Sequence, residues 1–170
     1  MIVQTRPVPP VESLQIRRAG LPDADAVGVL TEGVYRAEGF GSDEYAPMLR
    51  DGRARIDGAV VFVATLGGTI VGSVALALPA TRFVNVCRPD EAEVRMLAVA
   101  PDARGRGIGD ALMDACERHA HAAGLAGVVL STEPAMRTAH RLYLRRGYEP
   151  VPERDWAIGS SPLLVYRKDL

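Results

Sequence analysis

"EVRMLAVAPDARGRGIGDALM", from Glu93 to Met113, decides the fold. Its first part lies in "EAEVRMLAVA" (91–100), which reads as a strand. Ala92, Val94, Met96 and Ala98 point one way, and Glu91, Glu93, Arg95, Leu97 and Val99 the other. A "PD" turn follows, then glycines at 105, 107 and 109. The spacing then predicts a helix over 109–124, with Leu112, Ala115, Cys116 and His119 on one face and Gly124 as its stop. Free backbone N–H groups at a helix N-terminus bind anions, and glycines let a phosphate approach the backbone. The stretch is either such a cradle or a tight strand-to-helix turn with solvated arginines. It is not a dinucleotide fingerprint, which needs G-x-G-x-x-G after a first strand. Nor is it a P-loop, because Asp110-Ala111 stands where Lys-Ser/Thr is required.

Outward from this unit the pattern is mixed. "LQIRR" (14–18) reads as a strand and 21–39 as a helix with Pro22 in its first turn. A second helix is expected within 43–53. Two β-rich runs around "LGG" (66–68) read as a hairpin over 59–78, followed by a loop over 79–90. "GVVLST" (127–132) is a buried strand, and 134–147 a helix with Pro134 in its first turn. "YEPV" and "LLVYRKDL" (163–170) supply the last two strands. The expected architecture is α/β: a mixed, mostly antiparallel twisted sheet of about seven strands flanked by about four helices.

The chain has 170 residues, enough for one domain over 13–170 behind a Pro-rich loose leader at 1–12. A net charge of −1 provides no global pull on nucleic acid or an anionic membrane. No apolar run is long enough to span a bilayer, and the first residues lack a signal-peptide core. Cys87 and Cys116 have no pair spacing, which suits free thiols in a reducing cytoplasm. The three histidines have no metal-ligand spacing, so no metal is expected.

Arg104-Gly105-Arg106-Gly107-Ile108-Gly109 fits Q/R-x-x-G-x-G/A, and "AHRLYLRRGYEPV" (139–151) fits A-x-x-L-Y-x-x-x-G-F/Y. With the strand before the first motif, the chain resembles the GNAT superfamily of acetyl-CoA-dependent N-acetyltransferases over most of 14–168. One position departs: Met136 stands where the family often has Asn.

The resemblance implies roles. Backbone N–H groups from Arg104 through Gly105, Arg106, Gly107, Ile108 and Gly109 to Asp110 would hold the pyrophosphate of acetyl-CoA. The strand at Leu97, Ala98 and Val99 would splay from its neighbour and meet the acetyl-pantetheine arm, with the Leu97 N–H facing the thioester carbonyl. Glu93 would be the base that deprotonates the amine, with Glu91 or water as competitors. Tyr143 would be the acid that protonates the leaving thiolate.

The implied reaction is acetyl transfer to a primary amine of a small-molecule or peptide acceptor. The alternative is a catalytically silent acyl-CoA-binding module. The acceptor site is expected among 35–45, 79–90 and 152–162, where Asp43, Glu44 and Asp155 would attract a cationic amine and Trp156 would line the cleft or cap the core. Arg137, Arg141, Arg145 and Arg146 read as a solvated face or as an attraction for the 3′-phosphate of CoA. "LLVYRKDL" offers an edge through which a homodimer would pair.

Overall fold

The computed structural model describes residues 13–170; the expected leader at 1–12 lies outside the described residues. In chain order the elements are β1 (Leu14–Arg18), α1 (Ala24–Ala37), α2 (Ala46–Arg50), α3 (Gly52–Gly58), β2 (Val60–Leu66), β3 (Thr69–Ala77) and β4 (Glu91–Val99). Then come α4 (Ile108–Ala122), β5 (Gly127–Thr132), α5 (Arg137–Arg145), β6 (Glu149–Pro150), β7 (Trp156–Ile158) and β8 (Ser161–Asp169). Among the described residues no helix is long and apolar enough to cross a membrane.

The sheet runs β1-β2-β3-β4-β5-β8-β6, with β7 added on β8. Every pair is antiparallel except β4 with β5. The α4 crossover explains the exception, since parallel neighbours need a long connection. Alternation along the strands serves two cores. Val60, Ala64, Val74 and Leu76 pack with Ile108, Leu112 and Cys116 on the α4 face. Val61, Val63 and Ala75 pack with Val27 of α1 on the other. The hairpin turns at Gly67 and Gly68, whose φ of 55° and 84° suit a two-residue loop between twisted strands.

Four expectations need correction. The helix expected in 43–53 is two, α2 and α3, because Asp51 leaves the helical region at ψ 73° and its carboxylate caps Ala54 N–H at 2.8 Å. The helix expected from 134 starts only at Arg137, so Pro134 lies in the turn before it. The last two strands expected are three, because Trp156 opens the additional strand β7 between them. Finally, β8 pairs with β5 on one side and with β6 and β7 on the other, so "LLVYRKDL" is no free edge for a second copy.

Candidate active site

The site grows from a defect in β4. Its ladder to β5 runs from Glu91–Gly127 to Val94–Leu130 and stops, although β5 continues to Thr132 on its β8 side. Past Val94 the two strands part. On the opposite edge the register with β3 shifts between Ser73 and Ala75, so Met96 and Leu97 together face Val74. Met96 takes φ 55° there, a β-bulge at a non-glycine residue. The extra residue inverts the pleat. Leu97 and Val99 join Val94 against the α4 core, so the expectation that they share a face with Glu93 fails for their side chains. The backbone from Arg95 to Val99 carries no ladder bonds to β5.

The glycine loop follows. Gly105 and Gly107 have φ of 75° and 74°, and a Cβ on either would meet nothing within 4 Å. Among the described residues no acceptor partners the N–H groups from Gly105 to Asp110. Open space above free donors at the start of a 15-residue helix fits a diphosphate. Buried Ile108 anchors α4, and Gly72 permits the approach: a Cβ there would lie 2.8 Å from Ile108 Cγ2. The side chain of Arg104 is engaged elsewhere, 2.6 Å from Glu38 and 3.3 Å from the Val99 carbonyl. Arg106 is exposed. Asp110 is paired with Arg145 and Arg146, which offsets its charge beside an anion site. Arg146 also holds Glu117 at 2.8 Å and is mostly buried, so the basic cluster is only partly a solvated face.

Where β4 and β5 part lies a cleft of about 440 Å³, lined by Glu93, Leu97, Met136, Tyr143 and Trp156 among others. Glu93 is buried, and its Oε2 accepts N–H bonds from Asn85, Val86 and Cys87 at 2.7, 3.0 and 3.2 Å. Among the described residues no hydrogen bond reaches its Oε1. Tyr143 is buried between Tyr148 and Tyr166, and burial pushes its phenol well above the ordinary value. No hydrogen bond from the described residues reaches its hydroxyl. Met136 fills its side of the cleft and takes a contact from the Thr132 hydroxyl at 3.5 Å. The Trp156 indole donates to Ser131 Oγ at 3.0 Å across the mouth, so the cleft-lining reading of that residue holds.

Glu91 is not in the cleft. Its carboxylate binds Arg154, Arg167 and the Arg88 N–H. Burial raises its pKa, but these partners outweigh that and hold it at about 2. Cys87 sits beside Glu93 with its thiol pushed up to about 11 by burial and the neighbouring carboxylates, which keeps it protonated.

The three acceptor segments do converge on the cleft, but not through all the acidic residues expected. Glu44 lines it. Asp43 is fully exposed and 3.6 Å from Arg36, and Asp155 accepts the Val165 N–H. Sequence reasoning missed Arg95 and Tyr45, which meet across the cleft at 3.2 Å. Arg95 had a readable signal, two residues from Glu93 on one strand face. Tyr45 had none beyond its place in the 35–45 segment, because its position depends on how α2 packs against α1.

The chain is similar to known proteins in sequence and in fold. A family model described as the acetyltransferase (GNAT) family matches residues 31–148. An aminoalkylphosphonate N-acetyltransferase of Salmonella typhimurium is 44% identical over 57 residues, 34% of this chain and 37% of that one. An IAA acetyltransferase of Azospirillum brasilense is 35% identical over 86 residues, 51% of this chain and 52% of that one. The matched part thus spans between about a third and a half of these curated relatives. Among solved structures, the PaiA N-acetyltransferase of Thermoplasma acidophilum in complex with coenzyme A superimposes with a TM-score of 0.74 at 17% identity, covering 93% of this chain and 99% of that one.

Proposed function

The chain belongs to the acetyltransferase (GNAT) family, and we propose that residues 13–170 act as one domain that moves an acetyl group from acetyl-CoA to a primary amine of a small molecule or peptide. The observation that carries this reading is the parting of β4 and β5 past Val94, with Glu93 and Tyr143 on the walls of one cleft. The donor amides between Gly105 and Asp110 take the diphosphate of acetyl-CoA. The Leu97 N–H, in the stretch past the β5 ladder, faces the thioester carbonyl and stabilises charge that builds on its oxygen.

An alkylammonium must lose a proton before its nitrogen can attack. Glu93 Oε1 takes that proton, directly or through a water, while Oε2 stays fixed by the loop. The new C–N bond forms as the C–S bond breaks. The departing thiolate receives its proton from the Tyr143 hydroxyl, which burial keeps protonated across the working pH range, and the second proton shed by the acylated nitrogen restores the tyrosine. The two free cysteines suit a reaction in the cytoplasm.

The second reading, an acyl-CoA-binding module without turnover, draws on one observation: three backbone donors already occupy Glu93 Oε2. A release assay for CoA thiol separates the two. With acetyl-CoA and a panel of polyamines, aminoglycosides, amino acids and peptides, at least one amine should give stoichiometric thiol release and an N-acetyl product. Binding of acetyl-CoA with no release from any amine would establish the silent module instead.

A further inference from the structure

Arg95 is a cation that the reaction as described does not use. It lies on β4 two residues from Glu93, before the bulge, so both side chains leave the same face of the strand about 7 Å apart. It also lines the cleft. Its Nη1 donates to the Phe83 carbonyl at 2.8 Å, and its Nη2 to the Tyr45 hydroxyl at 3.2 Å with Met48 Sδ at 3.9 Å. A guanidinium has five N–H donors, so some remain free. Among the described residues no carboxylate lies within ion-pair distance of it.

A second guanidinium stands behind the first. Arg55 is 1% exposed and bonds only neutral oxygens: Thr31 Oγ1, and the carbonyls of Met48 and Leu49. Its Nε has no partner. Burial lowers its pKa most; Tyr45, Tyr35 and Asp51 oppose that, and Arg95 lowers it further. Burying like charges without a counter-ion is costly unless something compensates. Arg95 also sits at the junction with a second hollow of about 660 Å³, where Arg82 stands against Phe83. Among the described residues none of the nearby acids forms an ion pair with Arg95 or Arg55, although Asp51 acts on Arg55 from longer range. Glu93 Oε2 is spent on the 85–87 amides, Asp51 caps α3, and Glu44 is exposed on the rim.

We propose that the acceptor carries an oxyanion group, a carboxylate or a phosphonate, and that Arg95 with the Tyr45 hydroxyl binds it while the amine of the same molecule meets Glu93. The separation of the two side chains on the strand fits a short acceptor, with about two to four carbons between amine and anion. This inference rests on the acetyl-transfer reading and specifies the substrate class of the same site.

The test compares matched amines in the thiol-release assay: aminoalkyl carboxylates and aminoalkyl phosphonates, each against the neutral amide or alcohol of equal length. The anionic member should show kcat/KM at least ~10-fold above its neutral partner, mostly through KM, since charge-assisted hydrogen bonds are the strong ones. Whichever oxyanion gives the larger ratio identifies the headgroup. Arg95→Gln should bring the ratio to near one, and Arg95→Lys should restore part of it. Equal or better turnover of the neutral amines by the unaltered protein would overturn the inference and leave acetyl transfer standing. Acetyl-CoA binding without release from any amine would overturn both. The comparison on the unaltered protein holds even if an Arg95 variant does not fold.

Discussion

At the scale of single residues, Glu93 and Tyr143 separate a chemical role from a structural one through hydrogen bonds already in place. Glu93 Oε2 holds the loop through three N–H donors. Glutamine can present its carbonyl oxygen to the same donors, so Glu93→Gln should keep the fold and remove only the proton acceptor. We expect kcat/KM at neutral pH to fall by about 10²–10⁴, the usual span of general-base assistance, with the deficit shrinking toward pH 10 as more amine is already neutral. Unchanged turnover would leave Glu93 as a loop staple alone. Tyr143→Phe removes a hydroxyl to which no described residue bonds, so packing survives. Turnover should drop by about 10²-fold or more while acetyl-CoA affinity stays; a variant with normal turnover removes Tyr143 from the reaction. Both candidates were legible in the sequence because motifs flank them. The three amides on Glu93 were not, since a loop's path has no periodicity.

At the scale of elements, the part of the fold that sequence misread is the part set by backbone contact. The strands, α1 and α4 follow from alternation and helical spacing. The approach of α1 to the α2–α3 junction instead depends on two glycines that look unremarkable in the sequence. A Cβ on Gly28 would lie 2.0 Å from the Arg50 carbonyl oxygen, and one on Gly52 2.0 Å from that of Ala24. Backbone cannot step aside as a side-chain tip can. Gly28→Ala should therefore cost about 1–3 kcal/mol or more and lower Tm by roughly 5 °C or beyond. Gly52→Ala should cost a similar amount, and the double variant less than the sum, because both relieve one contact. A Tm within error of the parent for either single variant would refute the close approach. The bulge at Met96 was likewise invisible, because a two-residue period continues through it on paper while the real strand changes face. That change sends the Leu97 side chain to the core, so a strictly alternating reading wrongly placed it with Glu93.

At the scale of the whole molecule, the sheet is fastened at one end and open at the other. The β4–β5 wedge opens beyond Val94, while the beginning of β4 is held by Glu91, which bridges Arg167 of β8 and Arg154 in the turn before β7. The next residue on β8, Lys168, points to the opposite face and binds Glu117 of α4 at 2.8 Å, where Arg146 joins it. Two carboxylates therefore pin β8 from both faces. For Glu117, burial raises the pKa and the bonds from Arg146 and Lys168 more than reverse it; Glu91 is held at about 2 in the same way. The sign follows. A carboxylate whose folded pKa lies below its unfolded value contributes stability above the unfolded pKa, and the contribution is lost as pH falls through the folded one. Tm should therefore be nearly flat from neutral pH to about pH 5 and then fall between about pH 4.5 and 2. Glu91→Gln leaves two arginines facing a neutral amide, so stability at pH 7 should fall by about 3–5 kcal/mol, the cost of breaking a buried pair, and Tm should fall with it. The same variant should show a shallower acid limb, because the group whose protonation produces much of it is gone. Thermal unfolding followed by circular dichroism from pH 2 to 8 reads both effects. An acid limb of unchanged slope in the variant would mean that other carboxylates set it and that β8 is not held through Glu91.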